Sequence, residues 1–122
     1  MITFETGLYE DPGEEEIDDL LTKEGYELNE EFTDAIAIPE GDTQIVYDQQ
    51  GEETLLRASY VDNPDPESHP EFEALVSVDA YSGRNQSDID TARDTAHTVA
   101  TEFGGAFLNP QDGTRLEASE LE

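Results

Sequence analysis

The chain has 122 residues, and its 32 Asp and Glu against five Lys and Arg give a formal net charge of −27. Apolar residues make up 34% of it, below the ~45–50% of an average globular protein, which predicts one domain with a small core. The absence of cysteine excludes disulfides, thiolate metal sites and a cysteine nucleophile.

The first elements along the chain are a strand and a helix. Apolar residues and Thr6 alternate with polar residues over 2–8, which predicts a strand with one buried face. Asp11 is the predicted N-cap of a helix over 13–24, with Pro12 in its first turn, and the helix ends at Gly25.

Short strands follow in the middle of the chain. We predict strands at 26–28 and 35–38, then a hairpin formed by 44–48 and 54–61, with its turn at Gly51. Three prolines in 62–70 predict a loop.

The second half contains the clearest pattern in the chain. Alternating apolar residues predict a strand over 72–81. A helix is expected from Ser87, as its N-cap, to Phe103, and a short strand at 106–108 and a turn at 109–113 follow.

This order predicts a single α+β domain over 1–116 with a frayed acidic tail over 117–122. We expect a two-layer sandwich, in which two helices lie on one face of a mainly antiparallel sheet of four to six strands. The two halves can each be divided as β-α-β units, so a ferredoxin-like topology with extra central strands is the leading expectation.

The acidic residues are spread along the whole chain, with 11 in 1–30, 7 in 31–60, 8 in 61–90 and 6 in 91–122. Because every segment also keeps an ordered apolar pattern, disorder does not account for the charge. Lysine is almost absent, since Lys23 is the only one. In these respects the composition resembles that of acidic cytoplasmic proteins of extremely halophilic archaea, which implies a habitat and not a functional family.

A second, local resemblance covers Thr95 to Gly113, TAHTVATEFGGAFLNPQDG. This run of Ala-rich helix, double glycine, short strand and turn resembles the ending of various small bacterial α+β proteins, including some toxin-immunity proteins. No site residue is transferred from it.

Location and partner classes follow from the same composition. No apolar run approaches the ~20 residues of a membrane span, and residues 1–5 lack the features of a signal peptide, so we expect a cytoplasmic protein. With so few cations, direct binding to nucleic acid or to an anionic membrane surface is not expected. No cofactor is predicted.

The junction between the strand at 72–81 and the following helix is the first candidate ligand site. It contains Asp79, Tyr81, Arg84 and Asn85 next to a helix N-terminus, whose free N–H groups can hold an anion. It has neither a Walker pattern nor GxGxxG, and a capped connection in which Arg84 neutralises local acid is the simpler explanation.

Arg93 and His97 lie four residues apart on the following helix. They are candidates for binding an anion or transferring a proton beside that junction. The alternative is that Arg93 pairs with a nearby carboxylate and His97 is a boundary residue.

Asp62, Asp65 and His69 are weak candidates for a divalent metal site, since carboxylates and an imidazole suit Mn²⁺ or Zn²⁺. The segment lacks the ligand order of an EF-hand, and carboxylates cluster by chance in so acidic a chain. A solvated loop is the simpler explanation.

Three functions follow. The leading one is a small, salt-adapted protein-binding or regulatory module without catalytic activity, whose partner is another protein or a second copy in a homodimer. The second is an acidic inhibitor, either a nucleic-acid mimic or an immunity-type protein. The third is an enzyme or small-ligand-binding protein using the 79–87 junction with Arg93 or His97.

Overall fold

The computed structural model of the chain describes residues 2–30, 44–50, 55–62, 71–81 and 86–121. These residues form seven strands and three helices. The strands are β1 (Ile2–Leu8), β2 (Glu27–Leu28), β3 (Gln44–Gln50), β4 (Leu55–Asp62), β5 (Ala74–Ala80), β6 (Ala106–Asn109) and β7 (Thr114–Glu117). The helices are α1 (Glu14–Lys23), α2 (Gln86–Phe103) and α3 (Ala118–Leu121).

The seven strands form one sheet in the order β2-β3-β4-β5-β1-β6-β7, and every neighbouring pair is antiparallel. The predicted α+β class and antiparallel sheet are confirmed. The predicted counts of four to six strands and two helices are wrong, because β7 and the four-residue α3 were not expected. Only Leu116 in β7 has an aliphatic side chain, so the strand depends on pairing with β6 and not on a local apolar pattern.

The helices share a core with one face of the sheet. Directly opposed residues of an antiparallel pair point to the same face, so the register assigns Phe4, Val78 and Ala58 to this side. Large buried side chains of the core include Leu8, Ile17, Leu21, Tyr26, Tyr47 and Tyr60.

Two hydroxyl groups join this core to α2. Thr6 is fully buried and donates a 2.6 Å hydrogen bond to the carbonyl oxygen of Ala96. The Tyr26 and Thr95 hydroxyls lie 3.0 Å apart, and burial raises the pKa of Tyr26 to about 12. These polar groups fix where α2 lies over β1.

The start of α1 differs from the expectation. Gly13, with φ 94°, is the N-cap, and no side chain caps the helix. Asp11, the predicted N-cap, lies two residues before this position, because the positive φ of Gly13 places the start of the helix at Glu14. Its Oδ1 accepts hydrogen bonds from the Gly13 N–H at 2.9 Å and from the Tyr60 hydroxyl.

The start of α2 is also one residue earlier than expected. The helix begins at Gln86, so Ser87 lies within its first turn and is not the N-cap. Asp90 accepts a 2.8 Å hydrogen bond from the Gln86 Nε2 and pairs with Arg93. The predicted strand at 35–38, most of the predicted loop and the predicted turn at Gly51 lie outside the described residues.

Candidate interaction surface

The second face of the sheet points away from the core that the helices share, and we call it the open face. The register places Thr3, Glu5 and Gly7 of β1 on it. Their neighbours there include Arg57, Ser59, Val61, Leu75, Ser77, Asp79, Leu108 and Arg115, together with Val46, which is fully buried. In the centre, Ser59 opposes Ser77 and Val61 opposes Leu75. The middle of the open face is therefore a mixture of hydroxyl and aliphatic groups.

One corner of the open face is organised around Arg57. Its Nε donates to Asp48 at 2.7 Å and one terminal nitrogen donates to the other Asp48 oxygen at 3.0 Å. Asn29 also donates to Asp48 at 2.7 Å, and the guanidinium carbon lies 5.4 Å from the centre of the Tyr81 ring. We call Asn29, Asp48, Arg57 and Tyr81 the Arg57 cluster.

Within this cluster, Asp48 and Arg57 are each stabilised in the charged form. Burial alone would raise the pKa of Asp48, but hydrogen bonds from Arg57 and Asn29, together with the Arg57 charge, bring it below its usual value. The hydrogen bond to Asp48 raises the pKa of Arg57. Both side chains are more than four-fifths buried, so the pair is fixed, while the Tyr81 ring beside it is 41% exposed.

The other corner is organised around Arg115. Its terminal nitrogens donate to the Tyr9 hydroxyl at 2.8 Å and to Glu71 at 3.0 Å, and its Nε lies 3.3 Å from a Glu117 oxygen. The guanidinium also lies 5.4 Å from the centre of the buried Phe72 ring. We call Tyr9, Glu71, Phe72, Arg115 and Glu117 the Arg115 cluster.

Phe72 is held in place by close packing on β1. A Cβ atom built on Gly7 would lie 2.3 Å from the Phe72 ring, so only glycine allows the ring to rest on the strand. The Tyr9 ring also packs against Phe72, at 5.2 Å between centroids. The aromatic part of the Arg115 cluster therefore rests directly on the open face.

A shallow groove of about 350 Å³ lies beside this cluster. Its lining includes Glu5, Phe72, Leu108, Pro110 and Arg115. The turn between β6 and β7 forms one wall, and the Gln111 amide fixes that turn by bonding the Thr3 carbonyl oxygen at 2.8 Å and the Thr3 N–H at 3.2 Å.

The four candidate ligand residues that the structure describes do not lie together in one site. Asp79 lies on the open face and accepts a 2.7 Å hydrogen bond from Thr3, and Tyr81 belongs to the Arg57 cluster. Arg93 lies on α2 and pairs with Asp90, as the simpler alternative proposed. Arg84 and Asn85 lie outside the described residues.

His97 lies on the core side of the sheet, opposite to Asp79. Its ring packs edge-on against Phe107 at 4.2 Å between centroids, and its Nε2 is buried without a hydrogen-bond partner among the described residues. Burial lowers the pKa of His97, and the Arg93 charge acts in the same direction, while Asp94 opposes them.

The proposed metal ligands receive no further support. Asp65 and His69 lie outside the described residues, and of Asp62 the structure describes only its place at the end of β4. Among the described residues, no group of three or more His, Asp or Glu side chains is arranged to hold a metal ion. A second cavity of about 670 Å³ at the β2 edge is lined by Glu27, Glu30 and Asp48, and the last of these is already paired with Arg57.

The sequence analysis missed the Arg115 cluster. Tyr9 and Arg115 are 106 residues apart, and neither belongs to a motif, so no local signal joins them.

No helix in the described part of the chain is long and apolar enough to cross a membrane. No family model, no curated protein and no solved structure matches this chain.

Proposed function

We propose that this protein is a non-catalytic binding module that docks another protein on the open face of its sheet. One observation carries the proposal: this face holds two clusters at opposite corners of a hydroxyl and aliphatic centre, and each combines an arginine with at least one aromatic ring. Tyrosine and arginine are the residues that most often dominate the binding free energy of protein interfaces. Two of the three arginines in the described residues lie here, although the chain has only five Lys and Arg.

Contacts between side chains already order this face before a partner binds. Arg57 is locked to Asp48 and Asn29, and Arg115 is locked to Glu71 and Tyr9. Side chains that are already ordered lose little conformational entropy on binding. The separation of Asp79 and Tyr81 from His97 is the reason for preferring this function to a small-ligand site at the 79–87 junction.

The proposal includes a saline cytoplasm as the working environment. A net charge of −27 repels itself in dilute buffer, and salt screens that repulsion. The acidic residues would then keep the rest of the surface hydrated, while the open face supplies the contact.

The proposed architecture is a two-layer sandwich on a ferredoxin-like core. The order β4-β5-β1-β6, with α1 following β1 and α2 joining β5 to β6, supports it. In this description β2 and β3 extend one edge of the core, and β7 extends the other. An experimental structure in molar KCl tests the arrangement.

Photo-cross-linking tests the proposed function. Benzoylphenylalanine replaces Tyr81, which is 41% exposed on the open face, or the exposed Thr101 on α2 as the matched control. Both variants are irradiated in extracts of the source cells at molar KCl. We expect one discrete cross-linked protein from position 81 and not from position 101. Equal products from both positions, or none from either, would contradict the proposal.

A further inference from the structure

We infer that the groove beside the Arg115 cluster receives an arginine or lysine side chain of the partner protein, with Glu5 as its counter-ion. We call the space between Phe72, Leu108 and Pro110, with Glu5 at its border, the β6–β7 groove. The inference rests on the proposed function, because it names the chemistry of the partner that docks on the open face.

Glu5 is the first observation. It lies half-buried in β1, an interior strand of the sheet, between Ser77 of β5 and Leu108 of β6. Within the described residues, no hydrogen bond or ion pair reaches its carboxylate. A half-buried carboxylate gains most from a cation that binds it directly, since water solvates it only in part.

The protein's own nearby cation is already occupied. Arg115 donates to Tyr9 and Glu71 and also pairs with Glu117, and none of its described contacts is with Glu5. These contacts raise the pKa of Arg115, beginning with the hydrogen bond to Tyr9. The cation for Glu5 must therefore come from outside this cluster.

The shape and charge of the groove select the kind of side chain. Leu108, Pro110 and Phe72 provide apolar surface that matches the methylene stem of arginine or lysine. Among the described residues that line it, the ionisable side chains are Glu5, Glu71 and Arg115, so the negative charges outnumber the positive there. Because the whole chain is also strongly negative, an anionic segment would be repelled.

The groove is also held open before binding. Gln111 ties the turn between β6 and β7 to Thr3, and Phe72 is confined between Gly7 and the Arg115 guanidinium. A partner side chain therefore enters a formed groove and need not order its walls.

The test uses the peptide acetyl-Leu-Arg-Leu-amide and an otherwise identical peptide with citrulline, which keeps the shape of arginine without its charge. Binding is followed by amide chemical shifts of the full chain in about 1 M KCl, where the screening length is ~3 Å and general attraction to the acidic surface is suppressed. We expect shifts at Glu5, Leu108 and Thr114, and about tenfold tighter binding of the arginine peptide.

Two variants complete the test. Glu5→Gln should bind both peptides equally, whereas Glu16→Gln, an identical charge change on the exposed side of α1, should keep the preference. Equal binding of the two peptides by the unmodified protein would overturn the inference without any variant. So would shifts concentrated on α1.

The remaining outcomes separate the groove from the open face as a whole. If position 81 cross-links a partner and the protein binds both peptides equally, the inference about the groove is overturned and the proposed function stands. If the protein prefers the arginine peptide and position 81 captures nothing, the groove still binds a cationic side chain but the proposed function fails. A dimer in light scattering that the arginine peptide dissociates would assign the groove to a second copy and overturn the inference of a different partner.

Discussion

Thr6 shows how a single polar residue can specify the packing of a whole helix. It lies on the core side of β1, fully buried, and its hydroxyl donates to the Ala96 carbonyl oxygen of α2. A buried donor without a partner costs free energy, so this bond favours one position of the helix over its neighbours. The alternation in β1 predicted that Thr6 faces inward, but no feature of the sequence identified its acceptor.

Replacing Thr6 with valine removes the hydroxyl and keeps the shape of the side chain. We expect the free energy of unfolding to fall by about 1 kcal/mol. Urea denaturation in molar KCl measures it, since urea leaves the ionic strength unchanged. Thr101→Val is the control, because Thr101 is exposed and bonds only within its own helix, at the Thr98 carbonyl. An equal loss in the two variants would contradict the role given to Thr6.

His97 gives a pH dependence whose sign follows from its surroundings. Burial beside Phe107 lowers its pKa in the folded chain. As the pH falls from 7, the unfolded chain therefore takes up the proton first, and the free energy of unfolding decreases until the folded chain is protonated as well. The charged groups that act on the ring are Asp94, which opposes this shift, and Arg93, which adds to it.

The comparison of His97→Gln with the unmodified protein isolates that effect. Urea denaturation between pH 7 and pH 5 should show the unmodified protein losing stability relative to the variant, which has no titrating ring. Taking the difference removes the contribution of the many carboxylates, which both proteins share. Parallel curves for the two proteins would show that His97 is not desolvated in the folded state.

At the scale of elements, β1 depends on the absence of a side chain at one position. The Phe72 ring occupies the space in which a Cβ on Gly7 would lie, at 2.3 Å. Gly7→Ala should therefore lower the free energy of unfolding by about 1–3 kcal/mol through overpacking. The measurement is again urea denaturation in molar KCl.

The Phe72→Ala background supplies the internal control for that substitution. With the ring removed, the added methyl group meets no obstacle there, and we expect Gly7→Ala to cost less than about 1 kcal/mol. A cost that is the same in both backgrounds would mean that Gly7 is required for another reason, such as its closeness to Gly105, whose own Cβ would lie 2.3 Å from the Gly7 carbonyl oxygen.

The elements that sequence alone predicts are those with a strong local period. β5 was expected from the alternation of 72–81, and its buried and half-buried residues do alternate along Ala74–Ala80. β7 was missed because its four residues contain little apolar surface, and pairing with β6 decides its structure. The helix starts were misplaced in both directions, because the positive φ of Gly13 puts the N-cap of α1 two residues after Asp11, whereas α2 already includes Gln86, before Ser87.

The candidate surface was harder to predict than the sheet that carries it. Asp79 and Tyr81 were singled out for their place at the end of a strand, and both lie on the open face. Their main neighbours there, Thr3 and Arg57, come from strands distant in sequence, and the Arg115 cluster joins residues from both ends of the chain. Such contacts depend on strand order, which a single sequence does not encode in any local pattern.

On the scale of the whole molecule, the charge sets the conditions under which all of these contacts form. The described ion pairs are few, and two of the three arginines involved, Arg93 and Arg115, are substantially exposed in them. Exposed pairs of this kind contribute little to stability. The described ion pairs therefore offset little of the mutual repulsion between the carboxylates, which screening by dissolved salt reduces.

Salt dependence is consequently the strongest expectation for the molecule. Raising KCl from about 0.1 to 1 M shortens the screening length from ~10 to ~3 Å, and we expect the melting temperature to rise by about 10 °C, which is about 3 kcal/mol for a chain of this size. Circular dichroism at each salt concentration measures it. Sucrose at equal osmolality is the control, because it favours the compact state without screening charge. An equal gain in sucrose, or no gain in KCl, would show that repulsion between carboxylates does not limit the stability of this fold.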